Sequence, residues 1–369
     1  MRLAVTTACF AILASTASAE PRVPADDDEV LEVLPRDVLG TAELDRPDDP
    51  ARAAAVARRL TERGKASGDV RQFGYARAAI GQWWDQADPP VEVRAARAEL
   101  REVDHDYAGA AEDLRAVLAA RPDDAQAWLE LSNVLRVTGD LDGARRAATE
   151  LEAVAGQASA AVAWVPIWTF TGDAERSAAV LDRLDGQVPE SLTPWLTLNR
   201  AAAAEARADP AAAEAAYWRG LAAAPGDGPL LRGLGQLLLT RGDDAAVLSE
   251  LSPHTDDTGV LLLVAIAADR LGDPSAEDHR LALGQRFDEI RLRGGTPHGR
   301  FEARYHLELL DDPARALELA RANWQRQREA ADAWIVLRSA EAAGEPAAEV
   351  RAFLDAAGND DATLRGPTQ

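Results

Sequence analysis

The sequence predicts an all-α protein, a right-handed α-solenoid of stacked antiparallel helix pairs. Apolar residues recur at i, i+3, i+4 and i+7, as in Trp128, Leu131 and Leu135, which is the spacing of one helix face. A helix–turn–helix pattern returns about every 34 residues through most of the chain. No segment has the pattern that is typical of a β-strand.

Composition and charge narrow the classes of protein. Hydrophobic residues make up 47% of the 369 residues, which is enough for a sizeable core and excludes wholesale disorder. The chain has 62 acidic and 40 basic residues, a formal net charge of -22, so we expect no nucleic-acid partner. Cys9 is the only cysteine, which excludes a disulfide framework and a thiolate metal cluster.

Residues 1–19 have the features of a secretory signal peptide. Arg2 precedes an apolar stretch, and small residues come after it up to Ala17-Ser18-Ala19, which suits cleavage before Glu20. An uncleaved anchor is the alternative, but the stretch is short for a span of about 30 Å. We therefore expect an exported, periplasmic protein, with secretion or membrane association as alternatives.

Residues 20–49 are rich in Pro and Asp and are expected to be irregular. Within them, residues 30–35 form an apolar island that either stays solvated or docks on the array as an extended peptide. No further membrane span is expected, because the longest later apolar run, Val260 to Ala268, has half the length of a span.

Residues 50–90 are interpreted as a degenerate leading helix pair. Its helices are expected at Ala51–Ser67 and Arg71–Trp83, on either side of a turn at Gly68-Asp69. Helices of this length are marginal in isolation, so the pair must pack against the next pair of the array.

Residues 91–364 divide into about eight units of similar length. Each has a first helix, a turn that is often Gly-Asp, and a second helix with a small residue in its first turn. One pair cannot cover its own apolar face, whereas stacked pairs can. We expect fraying from Gly358 onward and a disordered tail at residues 365–369. The units start near Val91, Ala125, Ala158, Leu192, Gly228, Thr258, Pro297 and Ala331.

This pattern resembles the tetratricopeptide repeat (TPR), a helix–turn–helix unit of 34 residues. The chain departs from it in several units. The fifth unit is short and ends near residues 254–257, and residues 284–296 fit poorly. Arg304 and Arg338 stand where the family has a small residue.

Recognisable reaction chemistry is missing from the sequence, so no catalytic residue and no cofactor are predicted. There is no glycine-rich phosphate loop and no Gly-x-Ser-x-Gly turn. His298, Glu302 and His306 have the i, i+4, i+8 spacing that could hold a metal ion on one side of a helix. Exposed polar residues on an Arg-rich helix are the alternative. The Asp-Asp pairs at 123–124, 256–257 and 311–312 are expected to cap the next helices in the chain.

The resemblance implies an inner groove, lined by the first helix of each pair, that binds a protein or peptide. Carrying the family's groove positions across gives candidate residues, for which plain solvent exposure is the alternative. These are Glu99, Glu102, Asn133, Arg136, Arg200, Arg232, Gln236, Asp269, Tyr305 and Glu308.

The groove does not match the family members that bind the carboxyl-terminal tails of chaperones. Asn133 stands where those members carry an asparagine. Their remaining clamp positions are occupied by Leu129, Ala163, Thr193 and Thr197, which offer no comparable charged groups. A partner recognised by its terminal carboxylate is therefore not expected.

The sequence leaves three hypotheses about function. The first is an extracytoplasmic, non-catalytic scaffold that binds a protein or peptide in its groove, and its negative field favours basic partners. The second is a metal-binding protein or enzyme with a site near His298–His306. The third is a structural spacer in an envelope complex.

Overall fold

The computed structural model describes residues 47–67, 69–292 and 299–365. Within these ranges the chain forms α-helices and short 3₁₀ helices, with no β-strand. The expected signal peptide, the apolar island at residues 30–35 and the last four residues lie outside the described residues. The α-helices are α1 Pro50–Ser67, α2 Arg71–Ala79, α3 Val91–Val103, α4 Tyr107–Ala120, α5 Ala125–Thr138, α6 Leu141–Phe170, α7 Ala174–Leu184, α8 Thr193–Ala206, α9 Pro210–Ala223, α10 Gly228–Arg241, α11 Asp244–Leu251, α12 Thr258–Leu271, α13 Ala276–Leu292, α14 Gly299–Glu308, α15 Pro313–Trp324, α16 Ala330–Ala343, α17 Ala348–Ala357 and α18 Ala362–Arg365. The 3₁₀ helices are Gly81–Trp83, Glu190–Leu192 and Ser252–His254.

Successive helices pack in pairs, and each pair packs on the next. The first helix of a pair also contacts the first helix of the following pair, as α1 contacts α3 and α10 contacts α12. The first helices therefore line one face of the solenoid, called the inner face below. On this face the Arg304 side chain links α14 to α10, because its guanidinium group donates to Gln236. The predicted all-α solenoid of stacked helix pairs is confirmed.

Helix α6 belongs to two pairs. Gly156 has φ 81° and ψ 167°, which breaks the helical path and divides α6 into two halves. The first half completes one pair and the second half begins the next. By length and composition alone, α6 could cross a membrane, and no other helix in the described part of the chain could. Leu151 and Ile167, on either side of the break, are buried in one core cluster of the solenoid.

Aspartate side chains begin many of the helices. Asp124 accepts a hydrogen bond from the Ala127 N–H at 3.1 Å, and Asp257 accepts one from the Val260 N–H at 2.9 Å. Each bond satisfies a backbone donor that the helix start would leave unpaired. The prediction that the Asp-Asp pairs cap the next helix is confirmed. Asp106, Asp140, Asp209, Asp227 and Asp312 cap their helices in the same way.

Small residues allow the two helices of a pair to approach closely. Ala98, Ala110 and Ala144 are completely buried where helices cross. The buried Ser132 hydroxyl on α5 donates to the Ala144 carbonyl oxygen on α6 at 3.0 Å. A larger side chain at these positions would separate the backbones and open a gap in the core.

The end of the array differs from the prediction. Fraying was expected from Gly358 onward, but Asn359 is only 3% exposed and donates to the Phe170 carbonyl oxygen at 2.8 Å. The Arg328 N–H, in the α15–α16 connection, donates to the Val137 carbonyl oxygen at 2.7 Å. The curvature of the solenoid brings its last pairs onto the ends of α5 and α6. Residues after Gly358 that would otherwise face solvent are therefore packed against these helix ends.

A buried ion cluster joins the leading pair to the array. Asp113 on α4 is 1% exposed and accepts hydrogen bonds from Arg97 and from Arg101 on α3. Arg97 also donates to the carbonyl oxygens of Trp84 and Gln86, at 2.7 and 2.9 Å. The cluster therefore connects the segment after the leading pair to the first pair of the array.

Replacing Asp113 with alanine is expected to lower the free energy of unfolding by about 3–5 kcal/mol, because it leaves buried guanidinium groups without their carboxylate. Urea unfolding followed by circular dichroism measures this loss. Glu112→Ala is the matched control, since Glu112 is the exposed neighbour of Asp113 on the same helix. Equal losses in the two variants would contradict the role assigned to the cluster.

Candidate partner-binding site

Three carboxylates from two neighbouring first helices lie close together on the inner face. Glu99 and Glu102 lie on α3 and Glu130 lies on α5, and their charges act on one another. These three residues are called the acidic patch below. Arg58 on α1 forms an ion pair with Glu99 at 3.1 Å, and Asn133 lies near enough to Glu102 to favour its ionised form.

The acidic patch is incompletely neutralised. Burial, reinforced by the neighbouring carboxylates, raises the pKa of Glu102 to about 8 and that of Glu130 to about 7. Burial likewise raises the pKa of Glu99, although Arg58 acts in the opposite direction. The Oε1 atom of Glu102 is buried without a hydrogen-bond partner among the described residues. Arg58 and Lys65 favour the ionised forms of the patch, but neither donates a hydrogen bond to Glu102 Oε1.

Sequence reasoning selected Glu99, Glu102 and Asn133 and missed Glu130. A signal for Glu130 was present, because it lies three residues before Asn133 and therefore on the same side of α5. Its partial burial could not be predicted locally, since that burial depends on packing between successive pairs.

Arg136 lies beside the acidic patch but is occupied by the chain's own last third. Its guanidinium group donates to Asn133 at 3.0 Å and to Glu329, ahead of α16, at 3.1 Å. Glu329 is also approached by Arg300 at 3.4 Å. The two arginines outweigh the effect of burial and lower the pKa of Glu329.

Arg200 is turned toward the preceding pair. It donates to the Leu181 carbonyl oxygen at the end of α7 and to Asp182 and Asp185, all within 3.2 Å. Arg219 on α9 also binds Asp185, and the two guanidinium groups hold the pKa of Asp185 far below its usual range. The structure therefore gives Arg200 a role at the end of α7, away from the acidic patch.

The remaining candidates lie farther along the array. Arg232 forms an ion pair with Asp257, and Gln236 accepts a hydrogen bond from Arg304. Tyr305 donates to the Arg280 carbonyl oxygen at 3.3 Å and packs edge-on against Phe287, which directs it toward α13. Asp269 is exposed on α12, and Glu308 is bound by Arg270 and Arg304.

The histidine spacing does not form a metal centre in the part of the chain that the structure describes. His298 lies outside the described residues, so only two members of the proposed set can be located. Glu302 is buried in an ion pair with Arg291, and His306 lies 3.6 Å from Asp312. No group of three His, Cys, Asp or Glu side chains in residues 47–67, 69–292 and 299–365 is arranged to hold a metal ion.

No family model and no curated protein matches the sequence. Solved structures resemble the fold. The pilus biogenesis factor PilW is 19% identical, with 55% of this chain and 96% of PilW covered and a TM-score of 0.44. TTC0263, a TPR protein of Thermus thermophilus, is 17% identical, with 50% and 99% covered and a TM-score of 0.40. Human IFIT1, solved as a dimer with m7Gppp-AAAA, is 11% identical, with 84% and 71% covered and a TM-score of 0.55. Of these three, IFIT1 alone has a TM-score above 0.5, and at 11% identity its similarity bears on the fold alone, which agrees with the α-solenoid that the sequence predicted.

The acidic patch predicts an unusual pH dependence of stability. Glu102 keeps its proton in the folded chain up to a pKa of about 8, whereas the unfolded chain loses it near 4.5. Its contribution to stability is therefore complete below pH 4.5 and is lost as the pH rises toward 8. Glu102→Gln, which imitates the protonated side chain, should be about 2 kcal/mol more stable than the wild type at pH 8, after allowance for solvent screening, and less than about 0.5 kcal/mol more stable at pH 5.

Urea unfolding at both pH values measures this difference. Glu150→Gln removes an exposed carboxylate from the first half of α6 and serves as the control, for which no pH-dependent gain is expected. A Glu102→Gln variant with the same pH profile as the wild type would contradict the raised pKa.

Proposed function

We propose that this protein is a non-catalytic scaffold that binds a protein or peptide through its inner face, and that the acidic patch receives an arginine or lysine side chain of the partner. The observation that carries the proposal is the partly buried, incompletely neutralised set Glu99, Glu102 and Glu130 on adjacent first helices. A cation that entered the patch would supply the missing donor for Glu102 Oε1.

The electrostatics of the whole chain support a basic partner. The net charge of -22 attracts cationic segments over a distance and repels acidic ones. IFIT1 is described with a capped oligonucleotide, but its identity to this chain is 11%. Phosphate groups would meet carboxylates at the acidic patch, so a nucleic-acid partner is not part of the proposal.

The proposal assigns two roles to the groove residues inferred from the sequence. Asn133 and Asp269 would contact the partner, because both are exposed on first helices, whereas Arg136 would support the groove through its bond to Glu329. The others would support the groove through their contacts with neighbouring pairs. These supporting residues are Arg200, Arg232, Gln236 and Tyr305.

Export to the periplasm is also part of the proposal. Its support is the signal-like sequence of residues 1–19, in which a basic residue, an apolar stretch and Ala17-Ser18-Ala19 succeed one another. An extracytoplasmic scaffold of this kind would act by holding its partner, since the sequence offers no recognisable catalytic motif.

An octa-arginine peptide tests the patch, with octa-citrulline as its neutral counterpart. At pH 7.5 the bound cation should lower the pKa of Glu102, so binding should release about half a proton or more per peptide. Isothermal titration calorimetry in buffers of different ionisation enthalpy measures that release. We expect the Glu102→Gln/Glu130→Gln double variant to lose at least about tenfold in affinity and the proton release together.

The matched control is Glu112→Gln/Glu150→Gln, which removes the same number of charges from exposed positions on the second helices. Equal affinity losses in both double variants would mean that the general negative charge of the protein, and not the acidic patch, attracts the peptide. Failure of octa-arginine to bind at all would remove the basic-partner proposal and would favour the spacer hypothesis.

A further inference from the structure

We propose that residues 325–329 and 353–364 act together as a latch that holds the solenoid closed over the ends of α5 and α6. The inference concerns the conformation of the chain and does not depend on which partner binds. Residues about 190–220 positions apart in the sequence meet across this contact, as Arg136 meets Glu329 and Tyr107 meets Gln327.

The latch is bound through backbone groups that the helix ends leave free. The last carbonyl groups of a helix have no partner within it. Val137 accepts from the Arg328 N–H at 2.7 Å, and Phe170 accepts from the Asn359 amide at 2.8 Å. Two successive first helices, α5 and the second half of α6, are thus capped by the two parts of the latch.

Apolar packing continues the same contact. Leu141 and Phe170, at the two ends of α6, belong to a core cluster formed mainly by α15 to α18. Phe353 lies between Phe170 and Trp324, with ring centroids 6.2 and 5.3 Å away. The contact therefore resembles an internal interface in its buried Phe170 and Trp324 rings, and the Arg328 guanidinium group lies over the rings of Trp324 and Phe353.

The turns beneath the latch have no room for a side chain. A Cβ atom on Gly172 would lie 2.3 Å from the Gly358 carbonyl oxygen, and one on Gly139 would lie 2.7 Å from Arg328. Gly242, at the corresponding turn of a later pair, has the same φ of 78° as Gly172 but nothing within 4 Å of such an atom. Both turns need glycine for their positive φ, and only Gly172 also needs it for the latch.

This difference yields a matched pair of variants. Gly172→Ala and Gly242→Ala introduce the same backbone strain, but only Gly172→Ala collides with the latch. We expect Gly172→Ala to accelerate hydrogen exchange at the Arg328 amide roughly tenfold and to enlarge the radius of gyration in small-angle X-ray scattering. Gly242→Ala should change neither quantity.

The Arg328 amide is an informative probe because it binds Val137 rather than the turn that is mutated. Faster hydrogen exchange at this amide in Gly172→Ala would therefore show that both parts of the latch open together. Should Gly172→Ala fail to fold, Asn359→Ala removes the bond to Phe170 without adding atoms and is expected to act in the same direction. The proposal is overturned if Arg328 stays as protected as in the wild type, or if only residues 353–364 are released.

Discussion

The structure depends on one constraint, which is that no helix pair can cover its own apolar face. Helix α12 shows the consequence most clearly, because every residue from Gly259 to Ala268 is buried. Such a helix needs a second helix of its own pair and a neighbouring pair on either side. Burial between neighbours is therefore the main source of stability, and the length of the array results from the need to repeat it. The same burial explains why this run looks like half of a membrane span in the sequence.

Local features of the fold could be predicted from the sequence because their causes are local. The aspartate caps need one side chain and a backbone group three residues away, and Ser132 or Ala144 needs only the period of the repeat to be placed at a crossing. The division of α6 at Gly156 falls beside the predicted unit start near Ala158, because the period of the repeat is enough to locate it. The burial of Asn359 could not be predicted at all, because its partner Phe170 lies 189 positions earlier in the chain.

The directions in which arginine side chains extend explain why the candidate site was only partly predicted. A guanidinium group on a first helix can face the groove, the preceding second helix or a distant turn, and periodicity does not distinguish these directions. Arg200 binds the end of α7, whereas Arg136 binds Glu329 in the last part of the array. In both cases a nearby carboxylate decides the direction. The acidic patch is the opposite situation, because its carboxylates outnumber the cationic side chains that act on them.

The closure of the solenoid changes the stability of its last helix pair. An open solenoid has two terminal pairs, each stabilised by one neighbour, and these pairs open first. Here the last pair packs on the preceding pair and also on the ends of α5 and α6. Releasing it must break two interfaces, so the terminal pair gains stability that its short helices could not provide alone. The bond between Arg136 and Glu329 extends that coupling to the inner face, because Arg136 also binds Asn133 beside the acidic patch. The closure of the solenoid and the side chains beside the acidic patch are therefore linked through Arg136.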